Sequence, residues 1–294
     1  MTVSSSRVRR VLSALGASAY SFTVLCLPLS DKGQRRALNI STRLRFDTGS
    51  NVLIGGFIVS GSGPRNVVVR AVGPSLSGSG VSGALADPTL ELHGASGALI
   101  SQNDDWQDDP AQAAQLTAAG LGLQNAKESG LAATLQPGAY TAIMAGKNQT
   151  SGIGLMEVYD ISGATGSQLA NISTRGLVLT GNNVMIGGFI LGGGSNARVV
   201  VRGIGPSLSQ FGVNNPLADP TLELHDGNGA VLISNDNWQD DPLTASQLTF
   251  LNLPPSNVQE SGIFTSLPPG LFTAILAGKN GGTGIGLLEM YNVQ

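Results

Sequence analysis

The sequence predicts an all-β protein: two tandem antiparallel jelly-roll-like β-sandwich domains, each with one short helix. Three observations carry this prediction. The chain repeats itself once at a domain-sized offset. Its apolar residues fall in short, β-branched runs. Turn residues punctuate those runs at close intervals.

The repeat is explicit. Asn39-Ile-Ser-Thr-Arg43 returns as Asn171-Ile-Ser-Thr-Arg175, Ile54-Gly-Gly-Phe-Ile58 as Ile186-Gly-Gly-Phe-Ile190, and the segment from Ala86 to His93 as Ala218 to His225. Each match has the same offset of 132 residues. That period is a domain rather than a solenoid or propeller unit. It divides the chain into a signal peptide over 1–30, a sandwich repeat over 37–161, a polar linker over 162–168 and a second sandwich repeat over 169–294.

Within a copy the elements follow in order. The runs 52–59 and 66–70 are β-branched and bounded by Gly, Ser and Pro, as strands are. Residues 89–93 alternate apolar and polar, so one face is buried and the other wet. Ala111 to Ala119 is the one helical stretch, opened by Asp109-Pro110 in cap and first-turn positions. Pro137-Gly138 and Pro269-Gly270 mark tight turns. The runs 139–145 and 154–159 close the copy, with 147–152 between them as a hairpin loop, matched by 279–284.

Composition narrows the function. Charged residues are 12% of the chain and its net charge is −3, which leaves no basic footprint for nucleic acid or an anionic membrane. Two His and one Cys exclude a His/Cys metal centre or a disulfide framework. Arg7, Arg9 and Arg10 precede an apolar stretch from Val11 to Leu27, the order of a secretory signal peptide; the other reading is a misplaced start. The stretch is too short and too interrupted for stable membrane insertion. Its removal takes away Cys26, which suits a secreted, extracellular chain.

The densest polar chemistry is Asn103-Asp-Asp-Trp-Gln-Asp-Asp109, with Asn235-Asp-Asn-Trp-Gln-Asp-Asp241 as its counterpart. Four carboxylates in six residues repel unless solvated or bridged, and calcium takes six to eight hard oxygens in flexible geometry. Asp87 and Asp219 can add a ligand from the preceding strand, and Glu128 and Glu260 are further candidates. The other reading is a solvated turn in which Asp109 caps the helix. Trp106 and Trp238 are candidates for stacking on a sugar ring or anchoring a partner; a lid over the end of the sandwich is the alternative. His93 and His225 read as surface residues. Gly73-Pro-Ser and Gly205-Pro-Ser read as turns, since they lack the closing glycine of a nucleophile elbow. Glu157/Glu289 and Glu91/Glu223 have no glycosidase spacing.

The stretch from Asp219 through Asn237, with Glu260-Ser261, the Pro-Pro-Gly turn ending at Gly270 and then Phe272, resembles the bacterial pre-peptidase C-terminal (PPC-like) domain. The resemblance covers about the last two-thirds of each copy. It implies a jelly-roll module on secreted bacterial proteins, sometimes with calcium. Carried over by position, the metal ligands are Asp87, Asp104, Asp105 and Asp108 in the first copy and Asp219, Asp236 and Asp240 in the second. The first third of each copy departs from that family and is similar to uncharacterised repeats of large secreted bacterial proteins. The expectation is therefore a non-catalytic exported tandem for extracellular binding, adhesion or structure, not an enzyme. Its partner would be an extracellular polysaccharide or protein. The alternatives are a carbohydrate-binding accessory of a secreted enzyme and a self-assembling fibre subunit joined through sheet edges.

Overall fold

The computed structural model describes residues 36–162 and 167–293. The signal peptide expected over 1–30 and the middle of the linker lie outside the described residues. The first copy runs β1 (Arg36–Phe46), β2 (Leu53–Gly61), β3 (Arg65–Val72), β4 (Pro88–Gly94), β5 (Leu99–Asn103), α1 (Pro110–Ala118), β6 (Ser129–Leu135), β7 (Gly138–Gly146) and β8 (Gly152–Asp160). The second runs β9 (Ser167–Val178), β10 (Met185–Gly192), β11 (Ala197–Ile204), β12 (Pro220–Asp226), β13 (Val231–Asn235), α2 (Pro242–Phe250), β14 (Ser261–Leu267), β15 (Gly270–Gly278) and β16 (Gly284–Asn292).

Each copy is a jelly roll. In the first, β1-β8-β3-β6 forms one antiparallel half-sheet and β2-β7-β4-β5 the other. The second repeats this with β9-β16-β11-β14 and β10-β15-β12-β13. Along β2 and β4 buried and wetter residues alternate with period 2, whereas β8 is buried along its whole length. On β4, Leu90 and Leu92 are fully buried while Glu91 and His93 are half-exposed.

The copies do not sit apart on a tether. β1 pairs along its other edge with β10 of the second copy, Ile40 opposite Phe189 and Arg43 opposite Ile186. β9 pairs in the same way with β2, Ile172 opposite Phe57 and Arg175 opposite Ile54. Two continuous eight-stranded sheets result, ordered β13-β12-β15-β10-β1-β8-β3-β6 and β5-β4-β7-β2-β9-β16-β11-β14. Each takes four strands from each copy, and one apolar core runs between them through both. The join is isologous: the same patch of each copy meets its counterpart about a pseudo-twofold.

Two of the repeated motifs, Asn-Ile-Ser-Thr-Arg and Ile-Gly-Gly-Phe-Ile, make this join. Thr42 and Thr174, equivalent residues of the two copies, hydrogen bond to each other through their hydroxyls at 2.7 Å. The paired glycines of Ile-Gly-Gly-Phe-Ile admit side chains from facing strands. A Cβ on Gly188 would stand 2.7 Å from Ser41 Oγ, and one on Gly56 2.6 Å from Ser173 Oγ. A Cβ on Gly55 would meet Met156 Sδ at 2.7 Å, and one on Gly187 would meet Leu288 Cδ2 at 2.6 Å. A cavity of about 20 Å³ at the join, lined in part by Ser41, Thr42, Thr174 and Phe189, has room for about one water.

Candidate functional site in the acidic end loops

The acidic loop of each copy leaves an outer strand, β5 or β13, and enters the helix. Its backbone is stapled down before any ion is considered. Asn103 Oδ1 accepts from Gly130 N at 2.8 Å, and its Nδ2 donates to Asp105 O at 3.0 Å. Ser129 Oγ stands 2.5 Å from both Pro88 O and Asp104 O. Trp106 N donates to Glu128 O. Asn235, Ser261 and Trp238 make the same contacts in the second copy. Asp109 and Asp241 cap α1 and α2 by accepting from the first free backbone amides; those bonds hold the Asp109 carboxyl below the usual range, and the Thr244 hydroxyl, then the amides, do the same for Asp241.

In the first copy Asp87, Asp104 and Asp105 come together, one carboxylate oxygen of each lying within 4.8 Å of the others. Lysines share the space. Lys147 Nζ meets Asp104 Oδ2 at 2.5 Å, and Lys127 Nζ meets Asp87 Oδ2 at 3.3 Å. The Lys147 ammonium is held above its usual range by that hydrogen bond to Asp104. The Asp105 carboxyl is pushed up, first by desolvation and then by repulsion from Asp104. The Oδ1 atoms of Asp87, Asp104 and Asp105 are enclosed and have no hydrogen-bond partner. Three carboxylates that converge, each with one enclosed oxygen free of hydrogen bonds, fit a calcium ion, with further ligands from backbone or water.

The second copy is thinner by one charge of each sign. Asn237 replaces Asp105 and Gln259 replaces Lys127. Asp219 and Asp236 remain, and Lys279 Nζ lies 2.5 Å from Asp236 Oδ2 and 3.7 Å from Asp219 Oδ2. Three acids with two lysines and two acids with one lysine both leave a net −1. The paired loss keeps each loop's local charge unchanged, as a network of ion pairs requires.

Several expected site residues lie elsewhere. Asp108 is exposed and outside the cluster. Asp240 turns its carboxylate onto Asn237 N at 3.2 Å. Glu128 and Glu260 are fully buried, and each accepts from the backbone of the Gly-Pro-Ser turn, Gly73 and Ser75 or Gly205 and Ser207. They clamp a turn and face no ion site. Trp106 and Trp238 are 9% exposed and packed into apolar clusters with Leu116, Leu121 and Leu123, or Leu248 and Leu253. Neither offers a ring face to a sugar. Trp238 donates Nε1–H to Asn257 O.

The remaining catalytic candidates are occupied by structure. Glu157 pairs with Arg70 at 2.7 Å and takes the hydroxyl of Tyr159 at 2.8 Å. Burial disfavours the Arg70 charge, but Glu157 and Tyr159 outweigh it and keep the guanidinium ionised. Glu289 pairs with Arg202 and takes the hydroxyl of Tyr291, whose pKa burial and Glu289 push up to about 12. Ser75 and Ser207 give their hydroxyls to Glu128 and Glu260. His93 bridges Glu91 and Gly97 O, and the Glu91 bond raises its pKa. Sequence reading missed the lysines. Their signal was present: Lys147 and Lys279 open matched hairpin loops in a chain with few cations.

No protein-family model matches the chain, and no curated protein matches it. Among solved structures it is distantly similar to a protein of Sulfolobus Turreted Icosahedral Virus, at 12% identity and a TM-score of 0.24, with 88% of each chain covered. A DUF4785 family protein of Legionella pneumophila aligns at 9% identity and a TM-score of 0.22, over 93% of this chain and 91% of that one. PNGF-II aligns at 8% identity and a TM-score of 0.20, over 94% and 64%. None of the three is near enough to carry an argument. No helix among the described residues is long and apolar enough to cross a membrane.

Proposed function

We propose that the chain is a non-catalytic exported module for extracellular binding, adhesion or structure, acting as one stiff double jelly roll. The observation that carries this reading is the placement of β1 and β9 inside continuous sheets, each strand paired with both copies. A tether would let two domains swing; shared sheets fix their spacing. Eight strands about 4.8 Å apart set the two acidic loops at opposite ends, of order 30 Å from one another. A partner displaying repeated sites, a polysaccharide or a protein array, would meet both loops at a fixed distance, which raises avidity without new contacts. The basic-then-apolar order of residues 1–30 supports export.

Single-molecule pulling on the mature chain tests the stiffness. One cooperative rupture releasing both copies, roughly 85 nm of chain, is expected. Two separate ruptures of half that length would sink the reading.

A second reading concerns calcium. The unpartnered Oδ1 atoms of Asp87, Asp104 and Asp105 favour a calcium ion at the first copy, where it would neutralise the excess carboxylate and stiffen the loop. The second copy, with two carboxylates and Asn237, is the poorer site.

A further inference from the structure

The chain has two histidines, one in each copy, and both stand at the same place. His93 on β4 and His225 on β12 each mark the step where the ladder to the outermost strand breaks register. His93 faces Leu99 and Leu92 faces Ser101, so Ile100 has no residue opposite it. The imidazole bridges that irregularity. His93 Nδ1 lies 3.0 Å from Gly97 O in the β4–β5 turn, and its Nε2 lies 2.8 Å from Glu91 Oε2 on the strand. His225 makes the same contacts, at 3.1 Å to Gly229 O and 2.9 Å to Glu223 Oε2.

Both ring nitrogens therefore face acceptors. A carbonyl oxygen and a carboxylate oxygen have no hydrogen to give, so each nitrogen must donate. A neutral imidazole has one N–H and sets a lone pair against a lone pair at its other contact. Only the imidazolium satisfies both. Few other charges face the rings. Around His93 the turn 94–98 and β5 carry no titratable group, and β7 places Thr141 opposite the ring and turns its Tyr140 hydroxyl to Gln136 O. Glu91 is the charge that acts on it. Around His225 β13 carries no titratable group, β15 places Thr273 opposite, and Asp226 is taken up by Asn228 N and Ala230 N within its own turn. We propose that His93 and His225 are proton-operated clamps: protonated, each ring locks the turn of an outermost hairpin to its strand, and on losing the proton it lets that hairpin loosen. The turn carbonyl then keeps at best a neutral donor, roughly half as strong, and the glutamate no longer fixes the ring. Among the described residues β5 and β13 are paired along one edge only, and each leads straight into an acidic loop, so the clamps govern the roots of those loops. The Glu91 bond, then the Gly97 bond, raises the pKa of His93. Its clamp is therefore fully closed below 6.5, the ordinary imidazole value, and opens as pH rises through the raised midpoint.

An NMR titration of the mature chain from about pH 5 to about pH 9, a range in which imidazoles are the side chains that ordinarily titrate, is the test. Comparison with H93Q assigns the His93 signals. The His93 midpoint should lie above 6.5, both its ring nitrogens should carry hydrogens on the acid side, and E91Q should lower the midpoint. The amide of Gly94 bonds Ala98 O across the turn and reports the hairpin. Its protection against hydrogen exchange, corrected for the intrinsic rate, should drop about threefold through the wild-type midpoint, the scale of an exposed charged contact. In H93Q that drop should vanish, while the amide of Asp226, the counterpart of Gly94 in the second copy, should keep its own. A His93 midpoint at or below 6.5, or one that E91Q leaves unmoved, would overturn the inference. So would Gly94 protection that ignores the proton, or an H93Q profile that matches the parent.

Discussion

The middle of the molecule and its ends treat the duplication differently. At the join both copies keep the same residues, Asn-Ile-Ser-Thr-Arg on β1 and β9 and Ile-Gly-Gly-Phe-Ile on β2 and β10. At the ends identical runs such as Ala86 to His93 are interrupted by charge and size changes: Asp105 against Asn237, Lys127 against Gln259, Ala118 against Phe250. The reason is geometric. A residue at the join faces its own counterpart, or the neighbour of that counterpart, so any change must fit against both copies. A residue at an end faces its own copy and water. The middle is constrained as a dimer interface, and the ends are free to specialise.

The largest effect tests the middle. An alanine at Gly56 or Gly188 needs only a serine Oγ to swing aside, but leucine needs the strand to move. Overpacking costs about 1–3 kcal/mol per site, so Gly56→Leu with Gly188→Leu should cost several kcal/mol in denaturant unfolding. Gly78→Leu, at a position with open space around its Cβ, should be near neutral. A double leucine variant as stable as the parent would refute a close-packed join.

A smaller effect compares the buried ion pairs of the copies. Arg70 and Glu157 are 11% and 1% exposed at their side chains, Arg202 and Glu289 17% and 10%. Arg70→Met strands a buried carboxylate and should cost about 3 kcal/mol. Arg202→Met leaves its carboxylate nearer water and should cost less. Equal losses, or a reversed order, would show that the two environments do not differ as described.

The smallest effect separates the ends. Calcium should raise the melting temperature of the mature chain by about 2–4 °C, and a chelator should reverse it. Asp105→Asn should abolish the shift, whereas Asp240→Asn should not. Asn237→Asp should enlarge it. The sign without calcium is opposite. Asp105 has a raised pKa, so its ionised form opposes folding, and stability is gained as pH falls through that pKa. Asp105→Asn should therefore melt slightly higher than the parent in chelator at neutral pH. A wild-type melt indifferent to calcium would leave Lys127 and Lys147 as the loop's only counter-ions.

Much of the fold was legible because local pattern reports local geometry. Leu90 and Leu92 announce which face of β4 is buried, and Asp109-Pro110 announces where α1 starts. The jelly-roll class followed from the number and spacing of such strands. The shared sheets were not legible. The alternation along β1 is the same whether its outer neighbour belongs to its own copy or to the other, because period-2 patterning marks faces and is silent about edges. Side-chain roles at the site were half legible. The acid cluster stands in the sequence, but Lys147 reaches Asp104 only because a hairpin far along the chain docks its backbone on Asp87 O. Trp106 was legible as a loop residue packed as a lid over the end of the sandwich, and the structure supplies its neighbours, α1 and the segment that follows it.

The join also obeys a counting rule. Each copy brings one bare edge at its first strand and one at its second, and a partner of the same kind covers both at once. The pair is then complete. A third copy would find every such edge taken, and would stand alone with its own two uncovered until a fourth arrived. Sandwiches built on this pattern saturate in twos, so parity, rather than length, decides whether an array is sealed.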